Sequence, residues 1–326
     1  MMKVVVTGGC GFIGSHLVDR LVEDGHEVVV IDNLSTGNVS FLNPRATLYR
    51  MDVLDPAMPS VFKRESPGAV FHLAAQINVR TSVEDPIFDT EVNVIGSLRV
   101  IRAFLESPGE PSRKKFVFAS TGGAIYGETE VLPTPETVTP APLCPYGISK
   151  LTVEQHLAFY GRTAGLRSAA LRYANVYGPR QNALAEAGVV AIFSMKKIAG
   201  EPCEIFGDGL QTRDFVFVSD VVEATASCLR EEAEGIYNIG TGRETTVNEV
   251  YDAIERALGT GKGKVYKPQR PGEVRRSCLD ARKAADALGW KPAWPVEKGL
   301  QETARWFATS SQSPDGFRSA AGPAAK

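Results

Sequence analysis

Residues Val4-Val5-Val6-Thr7-Gly8-Gly9-Cys10-Gly11-Phe12-Ile13-Gly14 decide how this chain folds. The valine run reads as a buried strand. The glycines after it fit G-x-G-x-x-G, with Gly8 adding a G-x-x-G-x-x-G reading, and residues 14–24 read as a helix. Strand, glycine turn and helix in that order make a dinucleotide site. Missing side chains let the backbone approach a pyrophosphate, and the helix N-terminus offers unpaired N–H groups and positive potential. Asp32 ends the next strand at the expected distance. Its carboxylate suits ribose hydroxyls and repels a 2′-phosphate, so NAD is favoured over NADP. A glycine-rich turn with a capping Asp is the blander alternative, but it does not account for all four features in sequence.

Working outward, short β-branched runs alternate with amphipathic segments through the first half. Residues 27–31, 48–51, 69–73, 115–119 and 167–174 read as strands, and 87–105 and 146–163 as helices. This alternation predicts an α/β fold: a doubly wound parallel sheet of Rossmann type, occupying residues 1–174. Residues 175–308 read mainly as a smaller α/β substrate lobe, with segments around 213–242 returning to the first domain. Residues 309–326, rich in Ser, Ala, Gly and Pro, read as a disordered tail.

The bulk numbers exclude several classes. A net charge of −2 over 326 residues gives no pull toward nucleic acid or a membrane surface. No apolar run is long enough to span a bilayer, and the start lacks a signal-peptide pattern. Cys10, Cys144, Cys203, Cys228 and Cys278 are scattered without C-x-x-C, so no metal centre or disulfide framework is expected and a reducing cytoplasm fits.

The chemistry concentrates in Tyr146-Gly147-Ile148-Ser149-Lys150. A spacing of four puts the phenol and the ammonium on one helical face. The ammonium is expected to lower the tyrosine pKa and let it act as a base near neutral pH. Y-x-x-x-K alone is common; downstream of a dinucleotide fingerprint it reads as catalytic. Strand 115–119 continues into Ser120 and Thr121, hydroxyls at the sheet edge where ligands bind. Asp52 and Val53 follow the third strand, and Leu73-Ala74-Ala75 ends the fourth with small residues that suit a cofactor passing close by.

These residues resemble the extended short-chain dehydrogenase/reductase family, and within it the UDP-glucose 4-epimerases. The likeness runs from residue 3 to about 307. It includes the glycine loop, Asp32-Asn33-Leu34-Ser35-Thr36-Gly37, His72 to Gln76, Asn93, Tyr146/Lys150, Leu171 to Arg180, Gly207-Asp208-Gly209 and Asn238 to Gly242. The segments Ser120 to Gly127 and Glu186 to Phe193 resemble one bacterial epimerase branch. The resemblance implies a cofactor set of Gly8, Gly11, Phe12, Ile13, Gly14, Asp32, Asn33, Ser35, Thr36, Gly37, Asp52, Val53, Leu73, Ala74, Ala75, Gln76, Asn93, Tyr146, Lys150 and Tyr173. It implies that Asn175, Val189, Val190, Phe206, Arg213 and Arg270 hold the nucleotide diphosphate, that Glu273 holds a ribose hydroxyl and that Ser277 gates pocket width. The catalytic hydroxyl is Thr121 when counted from the strand; counted back from Tyr126 the slot falls on Gly122, so Ser120 stands in reserve. Homodimerisation through helices including Ser97–Leu105 and Thr152–Tyr160 is a further implication.

Absences rank the reactions. Related 4,6-dehydratases carry Asp-Glu after the catalytic Thr, and related decarboxylases keep a Glu there; this chain has Gly122-Gly123. Without that acid, oxidation at C4 has no elimination to follow, and the simplest cycle is epimerisation of a UDP-hexose, with another sugar-nucleotide dehydratase or reductase as the alternative. UDP-glucose/UDP-galactose comes first, UDP-N-acetylglucosamine second through the small Ser277. UDP-glucuronate is a third option through Arg180. Other classes are a sugar-nucleotide reductase and a non-enzymatic NAD-binding protein; the presence of both Tyr146 and Lys150 weighs against the last.

Overall fold

The computed structural model describes residues 1–183, 188–259, 261–269 and 274–310. The chain opens with β1 (Lys3–Thr7), α1 (Phe12–Glu23), β2 (Glu27–Asp32), β3 (Thr47–Arg50), α2 (Met58–Glu65) and β4 (Ala69–His72). Helices α3 (Val79–Glu84) and α4 (Pro86–Thr90) lead through a π-helical turn (Glu91–Gly96) into α5 (Ser97–Glu106). Next come β5 (Lys115–Thr121), the single turn α6 (Gly122–Ile125), α7 (Pro145–Ala164), β6 (Arg167–Tyr173) and β7 (Asn175–Tyr177). Then follow α8 (Val189–Ile198), β8 (Cys203–Phe206), β9 (Thr212–Arg213), β10 (Phe215–Phe217), α9 (Val218–Ser227) and β11 (Gly235–Ile239). The last elements are β12 (Thr245–Thr246), α10 (Val247–Leu258), β13 (Lys264–Lys267), α11 (Arg282–Leu288) and α12 (Val296–Ser310).

Seven strands form one parallel sheet in the order β11-β6-β5-β4-β1-β2-β3. This is the doubly wound sheet that the alternation predicts. Val4–Val6 and Val28–Ile31 are buried because helices cover both faces, which is why these strands read as continuous apolar runs. Strand order reverses between β1 and β4, and ligand crevices in such sheets open at that switch point. The chain leaves the large sheet after β6, pairs β7 with β10 and β8 with β13, and returns through β11 beside β6. A second core under these later elements gathers Tyr177, Phe193, Phe215, Phe217, Ile254 and Leu300.

Most boundaries fall within two residues of expectation, and two differences bear on the site and the tail. The helix read over 87–105 is broken by the π-helical turn, within which the Asn93 side chain bonds the loop after β4 instead of pointing to solvent. Such turns widen a helix locally and cluster at functional sites. Thr309 and Ser310, assigned to the tail, belong to α12. The rest of that tail, 311–326, lies outside the described residues, as do Arg270 and Glu273.

Candidate active site

The glycine turn between β1 and α1 forms the floor of a cleft of about 540 Å³. Gly8 sits at φ +72°, and a β-carbon there would lie 2.7 Å from the Ala74 nitrogen. A β-carbon on Gly14 would run into the Gly8 carbonyl oxygen. Only glycine lets the turn close this tightly under the helix end. Lining the same cleft are Gly11, Phe12, Ile13, Asp32, Asn33, Ser35, Thr36, Gly37, Asp52, Val53, Leu73, Ala74, Ala75, Gln76, Ser120, Tyr146, Lys150 and Tyr173. Asp32 accepts from the Cys10 N–H (2.9 Å) and the Leu34 N–H (2.8 Å), so its carboxylate is oriented before any ligand arrives. Burial raises its pKa, with those two bonds pulling the other way.

One member of the expected cofactor set falls elsewhere. Asn93 does not line the cleft; it is buried behind the wall, accepting from the Gln76 N–H and donating to the Gln76 carbonyl, both at 2.9 Å. It shapes the loop that lines the cleft. The π-helical turn aims it there, and nothing in a sequence period of 3.6 announces such a turn.

Helix α7 starts with Pro145 at its first turn and ends at Gly165 in the left-handed region, so its register is fixed at both ends. Tyr146 and Lys150 project from it side by side: the Lys150 nitrogen lies 5.8 Å from the Tyr146 ring centre and 4.8 Å from that of Phe118. Lys150 Nζ donates to the Ala119 carbonyl at 2.9 Å. The electrostatics correct the sequence expectation. Burial pushes the Tyr146 phenol up, Asp89 and Cys144 add to this, and a hydrogen bond with Thr121 opposes it. Burial also brings Lys150 down to about 8, against the pull of Asp89 and Glu154. Desolvation therefore outweighs the ammonium's expected effect on the phenol.

The two hydroxyls on β5 are sorted by strand alternation. Ser120 Oγ donates to Glu154 Oε1 at 2.6 Å, on the buried side, whereas Thr121 bonds Tyr146. Glu154 is paired with Arg172 at 2.6 Å, and Arg172 Nη1 donates to the Tyr126 hydroxyl at 2.8 Å. Sequence reasoning passed over Glu154, although 146, 150 and 154 share one spacing; it also passed over Asp89 and Arg172.

A second cleft of about 440 Å³ is lined by Asn175, Val189, Val190, Phe206 and Arg213. Gln181 and Gln211 line it too, each with a buried side-chain oxygen that has no partner among the described residues. Orphaned acceptors of this kind fit a ligand bearing hydroxyl or N–H donors. Two expectations do not join this cleft. Ser277 is absent from its lining and donates its N–H to the Thr212 carbonyl at 3.3 Å, in the strand that carries Arg213. Arg180 pairs with Asp19 on α1 at 2.8 Å and lines neither cleft. A β-carbon on Gly123 would sit 3.7 Å from Oδ1 of Asn175, which lines the second cleft, and 4.0 Å from Thr121 Oγ1. Space is left where an acidic side chain would otherwise stand. At Gly122 a β-carbon would strike Leu279.

A family model described as the NAD dependent epimerase/dehydratase family matches residues 4–240. The chain belongs to this family. Within it, the chain is 41% identical over 317 residues to the UDP-glucose 4-epimerase of Mycolicibacterium smegmatis, covering 95% of this chain and 100% of that one. The Thermotoga maritima UDP-glucose 4-epimerase, solved with UDP-glucose, is similar at a TM-score of 0.91 and 47% identity, covering 95% of this chain and 100% of that one. The Thermus thermophilus UDP-glucose 4-epimerase, solved in complex with NAD, is similar at a TM-score of 0.88 and 43% identity, covering 94% and 99%.

The glycine turn fits the family's cofactor, because Gly8, Gly11 and Gly14 line the cleft beside the N-terminus of α1 with no side chain between backbone and ligand. Gly14→Ala is therefore expected to yield folded protein that retains less than about a tenth of the NAD of the parent. NAD released by heat from purified protein checks this; equal content in both would refute it.

Proposed function

We propose that this chain interconverts C4 epimers of UDP-hexoses, UDP-glucose and UDP-galactose first, through a transient 4-keto sugar. The observation that carries the reading is the side-chain-free Gly123 beside Asn175 and Thr121, with Thr121 in turn bonded to the Tyr146 phenol of the cofactor cleft. The similarity to UDP-glucose 4-epimerases over nearly the full chain supports the same reading.

In this reading Tyr146 takes the proton of the C4 hydroxyl, and Thr121 bonds that hydroxyl and keeps the phenol aligned. NAD, which the glycine turn and Asp32 would hold in the first cleft, would supply the hydride acceptor and donor for C4. Lys150 stabilises the phenolate while charged. Asn175, Val189, Val190, Phe206 and Arg213 hold the nucleotide diphosphate, Arg213 by the bidentate geometry that suits phosphate oxygens. Arg270 and Glu273 complete that set in our reading. The tether lets the keto sugar turn over, and Tyr146 then returns its proton at the opposite face. Gly123 removes the acid that elimination would need. Arg180 is held by Asp19, so we rank UDP-glucuronate below the neutral sugars. UDP-N-acetylglucosamine remains in second place.

Purified protein without added NAD is to be incubated with UDP-glucose, UDP-N-acetylglucosamine and UDP-glucuronate separately, and the products identified. A C4 epimer, formed fastest from UDP-glucose, is the expected result. No conversion even with NAD supplied would overturn the reading.

We further propose a homodimer acting in the cytoplasm. Ile95, Ile148 and Phe159 are exposed on the π-helical turn and α7, which pack against each other. Isolated apolar residues are common on surfaces; a row across adjoining helices favours a second copy of the chain. The five cysteines are unpaired, as a reducing compartment would leave them. Ile148→Asp/Phe159→Asp should halve the mass found by light scattering. An unchanged mass, or a monomeric parent, would refute the dimer.

A further inference from the structure

Asp89, on α4, is fully buried. Its Oδ1 accepts from Gln76 Nε2 at 2.8 Å and Asn93 Nδ2 at 3.0 Å, and its Oδ2 accepts from Ser149 Oγ at 2.6 Å. The carboxylate thus accepts three side-chain hydrogen bonds, which suits an ionised group. It is not the cap of its own helix, since Asp85 accepts from the Phe88 N–H in that role. Its three partners come from three segments: the loop after β4, the π-helical turn and α7. Gln76 lines the cofactor cleft, and Ser149 immediately precedes Lys150.

The charged and titratable groups around it are few. From α7 it meets Tyr146 and Lys150, with Cys144 just before the helix. Arg80 and Glu84 on α3, and Glu91 on the π-helical turn, are exposed. A charge buried away from water acts strongly on its neighbours. The neighbours here are the two groups on which the proposed proton transfer depends.

We propose that Asp89 is a positioning residue of the epimerase centre: its buried carboxylate ties α7 to the cofactor-side loop and keeps the Lys150 ammonium charged beside Tyr146. The assignment rests on the epimerase reading for its catalytic meaning, but its electrostatic content stands apart from it. Consistent with the geometry, Asp89 is the leading group that holds Lys150 up against the effect of burial. Asp89→Asn keeps the shape and removes the charge. Ser149→Ala removes a donor dipole that partly offsets the carboxylate, so the field of Asp89 at Lys150 is stronger. The two variants therefore shift Lys150 in opposite directions.

The test uses NAD-loaded protein carrying carbon-13 at the lysine ε position, with the Lys150 signal identified by its loss in Lys150→Gln. Asp89→Asn should move the Lys150 midpoint to lower pH than in the parent, and Ser149→Ala to higher pH. In kinetics, Asp89→Asn should lower kcat about tenfold with KM little changed. An unmoved Lys150 midpoint in both variants overturns the proposal, even if kcat falls, because that is the signature of a merely structural role. Should Asp89→Asn fail to fold, the upward shift in Ser149→Ala decides alone. Should the parent convert no UDP-hexose while Lys150 shifts as expected, the epimerase reading falls and the electrostatic role of Asp89 stands.

Discussion

Tyr146→Phe is expected to lower epimerase turnover by about a thousandfold or more, while the protein keeps its fold and its NAD. The variant removes one oxygen and keeps the ring that lines the cleft, so packing and cofactor contacts survive. What is lost is the phenol placed beside both Lys150 and Thr121. General acid–base groups of this kind contribute about 10²–10⁴-fold each. In the proposed cycle the same group acts twice, once taking and once returning the proton, so the upper part of that range applies.

The ionisation of the pair sharpens the expectation. Burial raises the Tyr146 phenol in the chain by itself, against the pull of its hydrogen bond with Thr121. Lys150 titrates at about 8, so its positive charge, present below that pH, fades as pH rises through it. Turnover by the parent should therefore fall on the alkaline side of about pH 8. In Lys150→Met the residual turnover should lack that limb, because the group that loses its charge is gone. Product identification and cofactor content, measured across pH on all three proteins, check these statements. Full activity in Tyr146→Phe would remove Tyr146 from the mechanism.

Much of this was legible in the sequence where residue type and spacing are themselves the physics. The glycines are readable because the turn tolerates no β-carbon, and Tyr146/Lys150 because a spacing of four is one helix face. The seven-stranded sheet follows from apolar runs that need two covered faces. The illegible part consists of groups whose meaning depends on contacts distant in sequence. Asp89 acquires its role from Gln76, Asn93 and Ser149, and only folding brings these together. Counting residues does not separate Ser120 from Thr121; what folding adds is Glu154, which accepts from Ser120 Oγ. The direction of the Tyr146 shift was misread for a similar cause: spacing reports the neighbouring ammonium but not the burial that outweighs it.

The largest stability effect is expected at Glu154. Its side chain is 0% exposed and that of its partner Arg172 3%, so the pair is removed from water altogether. The carboxylate takes both Arg172 Nε (3.0 Å) and Nη2 (2.6 Å), a bidentate arrangement, and accepts from Ser120 as well. Through Arg172 the network continues to Tyr126 and Asn238, whose amide donates to the Thr134 carbonyl at 2.9 Å. Glu154→Ala would strand a guanidinium in the core, and breaking a buried pair from one side costs roughly 3–5 kcal/mol. Urea unfolding should show that loss as a lower midpoint with an unchanged slope. The pair need not be stabilising in net terms, because both ions were stripped of water to make it. Glu154→Leu/Arg172→Met, which removes both charges and keeps apolar volume, should therefore recover most of the stability lost in Glu154→Ala. The recovered protein should still be slow, since Ser120 would have no acceptor and the end of β5, where Thr121 meets Tyr146, would no longer be held from below. Recovery of stability together with full turnover would show that the network only fills space; no recovery of stability would show that the pair itself is net favourable.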